Sequence, residues 1–116
     1  MSRQTVVTAP AGGCCAPLAV RALEPRQAAG FAPMFKALGD PVRLRLLSLI
    51  AAQGEMCVCD LTGGFDLTGP TISHHLRVLR EAGLVACERR GTWVHYRVLP
   101  DALRQLGGLL AAPVPA

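Results

Sequence analysis

The stretch Thr68–Gly83, TGPTISHHLRVLREAG, decides the fold. Thr68 is a preferred helix N-cap residue, and Gly83 is the left-handed residue that commonly ends a helix. Helical periodicity places one histidine and the apolar side chains on one side: Ile72, His75, Leu76 and Leu79. The other side is polar and mostly basic: Ser73, His74, Arg77, Arg80 and Glu81. We therefore predict a helix from Thr68 to Ala82 with one face for packing and one face for contact with DNA.

Three helices are expected before this one. Residues 18–38 predict a helix with a break near Pro25 and Gly30. Its apolar residues at helical spacing should face the core or a dimer partner: Phe31, Met34, Phe35 and Leu38. Asp40 as N-cap and Pro41 at the first helical position start a second helix that ends near Gln53. A short third helix should begin around residues 57–60 and end at residues 63–64, followed by a turn at 65–67. The buried stripe of the second helix is expected to be Leu44, Leu47 and Ile50.

The residues after Gly83 predict a hairpin and a last helix. Residues 84–90 and 92–98 are rich in β-branched and aromatic side chains around Arg90-Gly91, which is typical of a β-hairpin. A last helix is expected from about Asp101 to Leu110. This order of elements is that of a winged helix-turn-helix, a mainly α fold with a small β-hairpin.

Composition bounds the organisation of the chain. With 116 residues, 51% of them apolar, and a net charge of +4, the chain can form one modest core, and dimerisation would add buried surface. Its positive charge favours a nucleic-acid partner. We expect residues 1–17 to form a flexible cysteine-bearing arm, residues 18–110 a DNA-binding and dimerisation domain, and residues 111–116 a loose tail. A signal-peptide run and a stretch of transmembrane length are both lacking, so no membrane partner is expected.

The cysteines indicate soft-metal chemistry: Cys14, Cys15, Cys57, Cys59 and Cys87. An odd number with such close spacings does not suit a secreted disulfide framework, whereas reduced thiols suit the cytoplasm. Thiolates select soft ions over magnesium or calcium. Cys57 and Cys59 can bind one ion only if the third helix starts at or after them, because residues i and i+2 diverge on a helix. Neither a nucleophile with a partnering base nor a Cys-x-x-Cys motif is present, which argues against an enzyme.

The DNA contacts are expected at the start and on the polar face of the fourth helix and at the hairpin tip. The candidate residues are Thr68, Pro70, Thr71, Ser73, His74, Arg77, Arg89 and Arg90. Side chains on the polar face should bond to base edges, while the helix N-terminus should be positioned on phosphates. The arginines of the tip should follow the backbone or enter the minor groove. The competing interpretation of the tip is a solvated basic turn.

Four ordered stretches resemble the ArsR/SmtB family of metal-responsive repressors. They are residues 35–47 (FKALGDPVRLRLL), 57–61 (CVCDL), 70–76 with 79–85 (PTISHHL and LREAGLV) and 91–97 (GTWVHYR). The resemblance covers about residues 31–100. It implies a cytoplasmic homodimeric repressor that binds double-stranded operator DNA without metal and leaves it when metal binds.

The resemblance also implies a ligand set. The best-known arsenic sensors of the family carry a third cysteine on the short helix, where this chain has Thr62. Other members recruit cysteines from an N-terminal arm, and Cys14-Cys15 matches that arrangement. We predict Cys14, Cys15 and Cys57 as ligands of As(III) or Sb(III), with Cys59 as a fourth ligand or a substitute. Some members with arm cysteines sense arsenite and others cadmium or lead, so the resemblance also implies Cd(II) and Pb(II) as alternative inducers, and cadmium would usually take a fourth ligand.

Other interpretations stay open from the sequence. Cys57 and Cys59 are also compatible with buried apolar filler, and the arm cysteines with a solvated pair. Cys87 lies two residues after Val85, on the same face of the predicted strand, and is expected in the core. The same scaffold also suits a thiol-redox-responsive repressor, a soft-metal carrier or a winged helix used for protein contacts.

Overall fold

The computed structural model describes residues 17–18, 20–63 and 67–112. Its elements, in chain order, are α1 (Pro25–Leu38), α2 (Pro41–Gln53), β1 (Met56–Cys57), α3 (Val58–Gly63), α4 (Gly69–Glu81), β2 (Val85–Arg90), β3 (Trp93–Val98) and α5 (Pro100–Leu110). The predicted winged helix-turn-helix, mainly helical with a small sheet, is confirmed. Residues 34–99 form one compact unit, and described residues before 34 and after 99 form a second. Most of the predicted arm, residues 65–66 of the predicted turn and residues 113–116 of the predicted tail lie outside the described residues.

Helix α2 begins as the sequence predicts. The Asp40 carboxylate accepts hydrogen bonds from the backbone N–H groups of Val42 and Arg43, at 2.9 and 3.2 Å. The bond from Arg43 is the largest cause that lowers the pKa of the Asp40 carboxyl. Gly54, with φ +85°, closes the helix at its other end.

The buried stripe of α2 differs from the prediction at one position. Leu46, Leu47 and Ile50 are buried, whereas Leu44 is 53% exposed. Leu44 and Leu46 lie almost opposite each other around a helix, so they cannot both face the same core. The expectation for Leu44 is therefore wrong, and Leu46 takes its place.

Helix α4 lies on the core of the 34–99 unit. The Thr68 hydroxyl oxygen accepts a hydrogen bond from the Thr71 N–H at 3.3 Å, and Gly83 adopts φ +81° after the helix ends. The buried face is the predicted one, with Ile72, Leu76 and Leu79 at 0% exposure. Helices α2 and α3 both contact α4, which leaves the polar face outward.

The hairpin β2–β3 carries a third strand that the sequence did not predict. Strand β1 pairs antiparallel with β3, with Met56 opposite Tyr96 and Cys57 opposite His95. The sheet order is β1-β3-β2. Gly91 opens the two-residue hairpin turn with φ +66°, a conformation that glycine adopts without strain.

Helix α1 begins at Pro25 and runs unbroken through Gly30, so the expected break at Gly30 is wrong, and residues 20–24, which were expected to be helical, lie before the helix. Pro25 is the first residue of the helix, where a missing N–H breaks no intrahelical bond. The helix buries Phe31, Met34 and Ala37 on one face. This burial offsets the loss of about 1 kcal/mol of helix stability that glycine causes relative to alanine, here at Gly30. None of the helices among the described residues is long and apolar enough to cross a bilayer.

Candidate metal centre and nucleic-acid interface

The thiols of Cys57 and Cys59 meet where β1 turns into α3. Cys57 is the last residue of β1 and is buried, while Cys59 lies in the first turn of α3 and is exposed. Their Sγ atoms are 2.9 Å apart. The helix begins at Val58, between the two cysteines, so the predicted requirement that it start at or after both is too strict. The extended backbone at Cys57 brings its thiol around to that of Cys59.

The two sulfurs are close enough to coordinate one soft ion together. Bonds of about 2.3 Å, as in zinc thiolates, let one atom bridge sulfurs up to about 4.6 Å apart. The pKa of the Cys59 thiol is raised, first by its hydrogen bond with Cys57 and then by desolvation. Within residues 17–18, 20–63 and 67–112, no group of three or more His, Cys, Asp or Glu side chains is placed to hold a metal ion.

A third thiolate is therefore not among the described neighbours of the pair. Thr62, which occupies the place of a third local cysteine, donates its hydroxyl to the Cys59 carbonyl at 3.0 Å. Cys14 and Cys15, the predicted further ligands, lie outside the described residues. Cys87 is half-buried rather than fully in the core, with its Sγ 3.7 Å from Nη1 of Arg80.

An open pocket of about 410 Å³ connects the thiol pair to the two elements expected to contact DNA. Cys57 and Cys59 line it together with Ser73 of α4 and Trp93, Val94 and Tyr96 of β3. Trp93 is 55% exposed. The structure thus places a predicted base-contacting residue, Ser73, and two of the four predicted metal ligands, Cys57 and Cys59, around one space.

The predicted DNA-contacting residues of α4 share its outer side. Pro70, Ser73, His74 and Arg77 are exposed, and Thr71 is half-buried. Nη2 of Arg77 lies 3.2 Å from Nδ1 of His74, so the guanidinium donates to the imidazole one helical turn away. His75 is half-buried and faces α2, where the guanidinium of Arg43 donates a hydrogen bond to its Nδ1 at 3.2 Å.

The two arginines predicted at the hairpin tip differ in their partners. The Arg90 guanidinium donates to both carboxylate oxygens of Glu55, at 2.8 and 2.7 Å, and to Glu88 at 2.9 Å. These bonds lower the pKa of Glu55 and raise that of Arg90. Arg89 is exposed on the same strand. Sequence reasoning missed Glu55, because its partner lies 35 positions away and no local pattern links them.

The comparisons with known proteins match this chain to one family of bacterial regulatory proteins. The family model for bacterial regulatory proteins of the arsR family matches residues 40–86. The chain is 45% identical, over 72% of its length, to the arsenic resistance transcriptional regulator ArsR1 of Pseudomonas putida. It is 48% identical, over 58% of its length, to the arsenical resistance operon repressor of Escherichia coli. A cadmium resistance transcriptional regulatory protein CadC homolog of Staphylococcus aureus is 35% identical over 65% of the chain. The matches span 65%, 57% and 62% of these relatives' own length.

Solved structures agree with the fold. One, described as a "possible transcriptional regulator for arsenical resistance", is 39% identical with a TM-score of 0.59, covering 64% of this chain and 75% of that one. Another is a homodimeric winged helix-turn-helix DNA-binding domain from Mycobacterium bovis, 35% identical with a TM-score of 0.62. That match covers 71% of this chain and 79% of the other.

Proposed function

Since the chain belongs to the ArsR family of bacterial regulatory proteins, we propose that it is a transcriptional repressor that releases its operator when As(III) or Sb(III) binds its cysteine thiolates. The observation that carries the proposal is the 2.9 Å contact between the Cys57 and Cys59 sulfurs on the edge of the sheet that forms the hairpin. Relatives named for arsenic resistance support the choice of inducer. In this proposal the chain is a cytoplasmic homodimer.

The DNA contacts are proposed on the outer side of α4 and at the hairpin. Arg77 offers the fork geometry that pairs with guanine O6 and N7, and Ser73 and His74 lie beside it on the exposed face. The amino end of α4, with Thr68, Pro70 and Thr71, is positioned to receive a phosphate. Arg89 adds sequence-independent attraction to the backbone, whereas Arg90 can contact a phosphate only when its guanidinium leaves Glu55.

The inducer is proposed to bind three thiolates. Arsenous acid loses a hydroxyl for each thiol it takes, so three thiols replace its three hydroxyls and three waters leave. Cys57 supplies one sulfur, and Cys14 and Cys15 from the arm supply two, with Cys59 as a fourth ligand or a substitute. This set would tie the arm to the start of α3.

Coupling to DNA follows from the position of the thiol pair. Cys57 lies opposite His95 in the sheet, and Glu55, two residues earlier, holds Arg90 of the hairpin. A ligand that moves Cys57 would therefore also move β3, which is one of the two strands of the hairpin. By linkage, operator binding must weaken inducer affinity by the same factor by which inducer weakens operator affinity.

The proposal is tested by titrating operator-bound protein, kept reduced, with arsenite, antimonite, cadmium and lead. DNA release is followed by fluorescence anisotropy, and metal binding by the thiolate-to-metal absorption band. We expect arsenite and antimonite to release the operator with the absorption change in step. Operator that stays bound at saturating arsenite would refute the proposal. Release by peroxide but not by arsenite would instead select a thiol-redox repressor, which the close sulfur contact also suits.

A cadmium-responsive repressor is the second candidate, favoured by the cadmium resistance relative. The pH dependence separates the two. Neutral arsenous acid and neutral thiols form the adduct and water, so no net proton is released. Cadmium displaces a proton from each thiol, so its affinity rises about tenfold per thiol ligand per pH unit below a thiol pKa of about 8.5. We expect the arsenite concentration that releases half of the operator to change little between about pH 6 and pH 8, where thiols remain mostly protonated. A steep fall of this concentration as the pH rises would contradict the stoichiometry.

Neutralising Glu55 is expected to strengthen DNA binding. Glu55→Gln replaces the bidentate carboxylate partner of Arg90 with a neutral amide, so only the single bond to Glu88 holds the guanidinium, which can then turn toward a phosphate. One added phosphate contact steepens the slope of log affinity against log salt by about 0.9 and raises affinity most at low salt, on any sequence. Salt titrations on operator and random DNA measure this slope. Asp101→Asn is the matched control, because it makes the same charge change at the exposed Asp101–Arg104 pair of α5. Equal effects of the two variants would show that the change in net charge alone explains the result.

A further inference from the structure

Trp93, the first residue of β3, exposes 55% of its surface. A ring of this size is usually better covered in a folded domain. Trp93 lies two residues after the turn at Gly91 and directly opposite Arg90 in the hairpin, and the neighbouring Arg89 is exposed. The hairpin therefore presents a large apolar ring to solvent beside an exposed positive charge.

The ring lines the open pocket of about 410 Å³ between the hairpin and α4. Ser73 lines the α4 side of this pocket and Thr92 lines the hairpin side, and both of these residues are exposed. The other lining residues are 57–59, Val94 and Tyr96. One aromatic surface thus lies between two exposed residues that carry hydroxyl groups.

Duplex DNA has one part that fits between two protein elements placed in this way. Its major and minor grooves are separated by a sugar–phosphate strand, so a protein that sets one element in each of two adjacent grooves holds that strand between them. With the outer side of α4 on the major groove, as proposed above, the next strand of the duplex would cross the space between α4 and the hairpin. Ser73 and Trp93 mark the two sides of that space.

Resting only on the DNA-binding half of the proposed function, we propose that one sugar–phosphate strand of the DNA occupies this pocket and that the Trp93 ring packs against its deoxyribose. The C–H groups of a sugar match the apolar face of an indole ring. Serine and threonine hydroxyls commonly donate to phosphate oxygens, and Ser73 and Thr92 are placed to do so on either side of the ring. Trp93 and Thr92 thereby join the residues that bind DNA.

The charges around the pocket favour DNA over a protein partner. Exposed arginines lie on the elements at both sides, Arg77 on α4 and Arg89 on β2. The carboxylates nearest the hairpin tip, Glu55 and Glu88, are both paired with Arg90. A polyanionic strand is attracted to this surface.

Packing of a ring on a sugar has a salt dependence that separates it from an arginine contact. It releases no counterion, so its contribution to affinity is the same at every salt concentration. We expect Trp93→Ala to weaken binding about threefold to tenfold on operator and random DNA, with the slope of log affinity against log salt unchanged. Trp93→Phe, which keeps a ring, should retain most of the affinity. Arg89→Ala is the contrasting variant, because loss of a phosphate contact flattens the slope by about 0.9.

The wild-type protein reports the contact directly, because Trp93 is the only tryptophan of the chain. Its emission and its quenching by acrylamide are measured on reduced protein with and without saturating operator, in the absence of metal. We expect operator to change the emission and to protect the ring from acrylamide. The thermal unfolding of Trp93→Ala and Trp93→Phe is compared with that of wild type before their affinities are measured.

The outcomes separate this inference from the proposed function. A ring that is as accessible to acrylamide in the saturated operator complex as in free protein overturns the inference. Wild-type affinity in a folded Trp93→Ala variant also overturns it, and so does a salt slope that flattens as in Arg89→Ala. Protein that binds operator but ignores arsenite counts against the proposed function and leaves the ring contact standing. Protein that binds no DNA overturns both.

Discussion

Cys57→Ser is expected to abolish release by arsenite while leaving operator affinity close to that of wild type. Cys57 is 8% exposed at the end of β1, and its sulfur contacts that of Cys59. A serine hydroxyl fits the same space and can bond to the Cys59 thiol, but it does not replace a thiolate on a soft ion. If inducer weakens operator affinity at least tenfold in wild type, the variant loses at least about 1.4 kcal/mol of coupling.

The measurement is operator anisotropy with and without saturating arsenite, on protein whose thermal unfolding is checked first. Cys87→Ser is the matched control, because Cys87 lies in β2 outside the thiol pair and is half-buried. The control should release normally. Release that persists in Cys57→Ser but is lost in Cys57→Ser/Cys59→Ser would show that Cys59 substitutes for Cys57, and release that persists in both variants would show that the inducer binds elsewhere.

Arg77→Ala has the second large expected effect, a loss of about 1–3 kcal/mol of operator affinity together with weaker discrimination between sequences. Arg77 is exposed on α4, and its contact with His74 holds the guanidinium along the outer face of the helix. Removing it takes away the proposed bidentate base contact and also frees the His74 ring. Affinity is measured on operator and on random DNA at several salt concentrations.

Arg89→Ala is the control for this prediction. Arg89 lies at the hairpin, where a phosphate contact would be lost on every sequence alike and the salt dependence would become flatter. If Arg77→Ala lowered affinity equally on operator and random DNA, its assignment to base contacts would be wrong.

Local signals allowed the fourth helix and the hairpin to be predicted well. The N-cap at Thr68, the left-handed Gly83 and the turn at Gly91 each act within a few residues, so their consequences are visible in the sequence. The apolar face of α4 followed from periodicity because its outer face is distinctly polar.

Features that depend on distant or ambiguous partners were missed. Strand β1 is two residues long, and its partners Tyr96 and His95 lie about forty positions away, so no local pattern announces it. In α2, apolar residues occur nearly all around the helix, so spacing alone did not separate Leu44 from Leu46. The same non-local pairing explains why helix onset between Cys57 and Cys59 was unexpected.

The candidate site was predicted in its residue types more than in its surroundings. The thiol pair and the polar face of α4 follow from the sequence, and the structure brings Cys57, Cys59 and Ser73 around one pocket. The roles of the individual residues stay predictions. The bond between Glu55 and Arg90 and the exposed Trp93 depend on tertiary placement and had no signal in the sequence.

Strand β1 sets a strict spacing rule for the design of variants of this protein. Side chains of a strand alternate between the two faces of its sheet, so one residue inserted between Glu55 and Cys57 would carry the thiol to the opposite face. The same insertion would shift Glu55 away from the hairpin arginine. Variants of the proposed thiol site should therefore exchange residues around this strand at constant length.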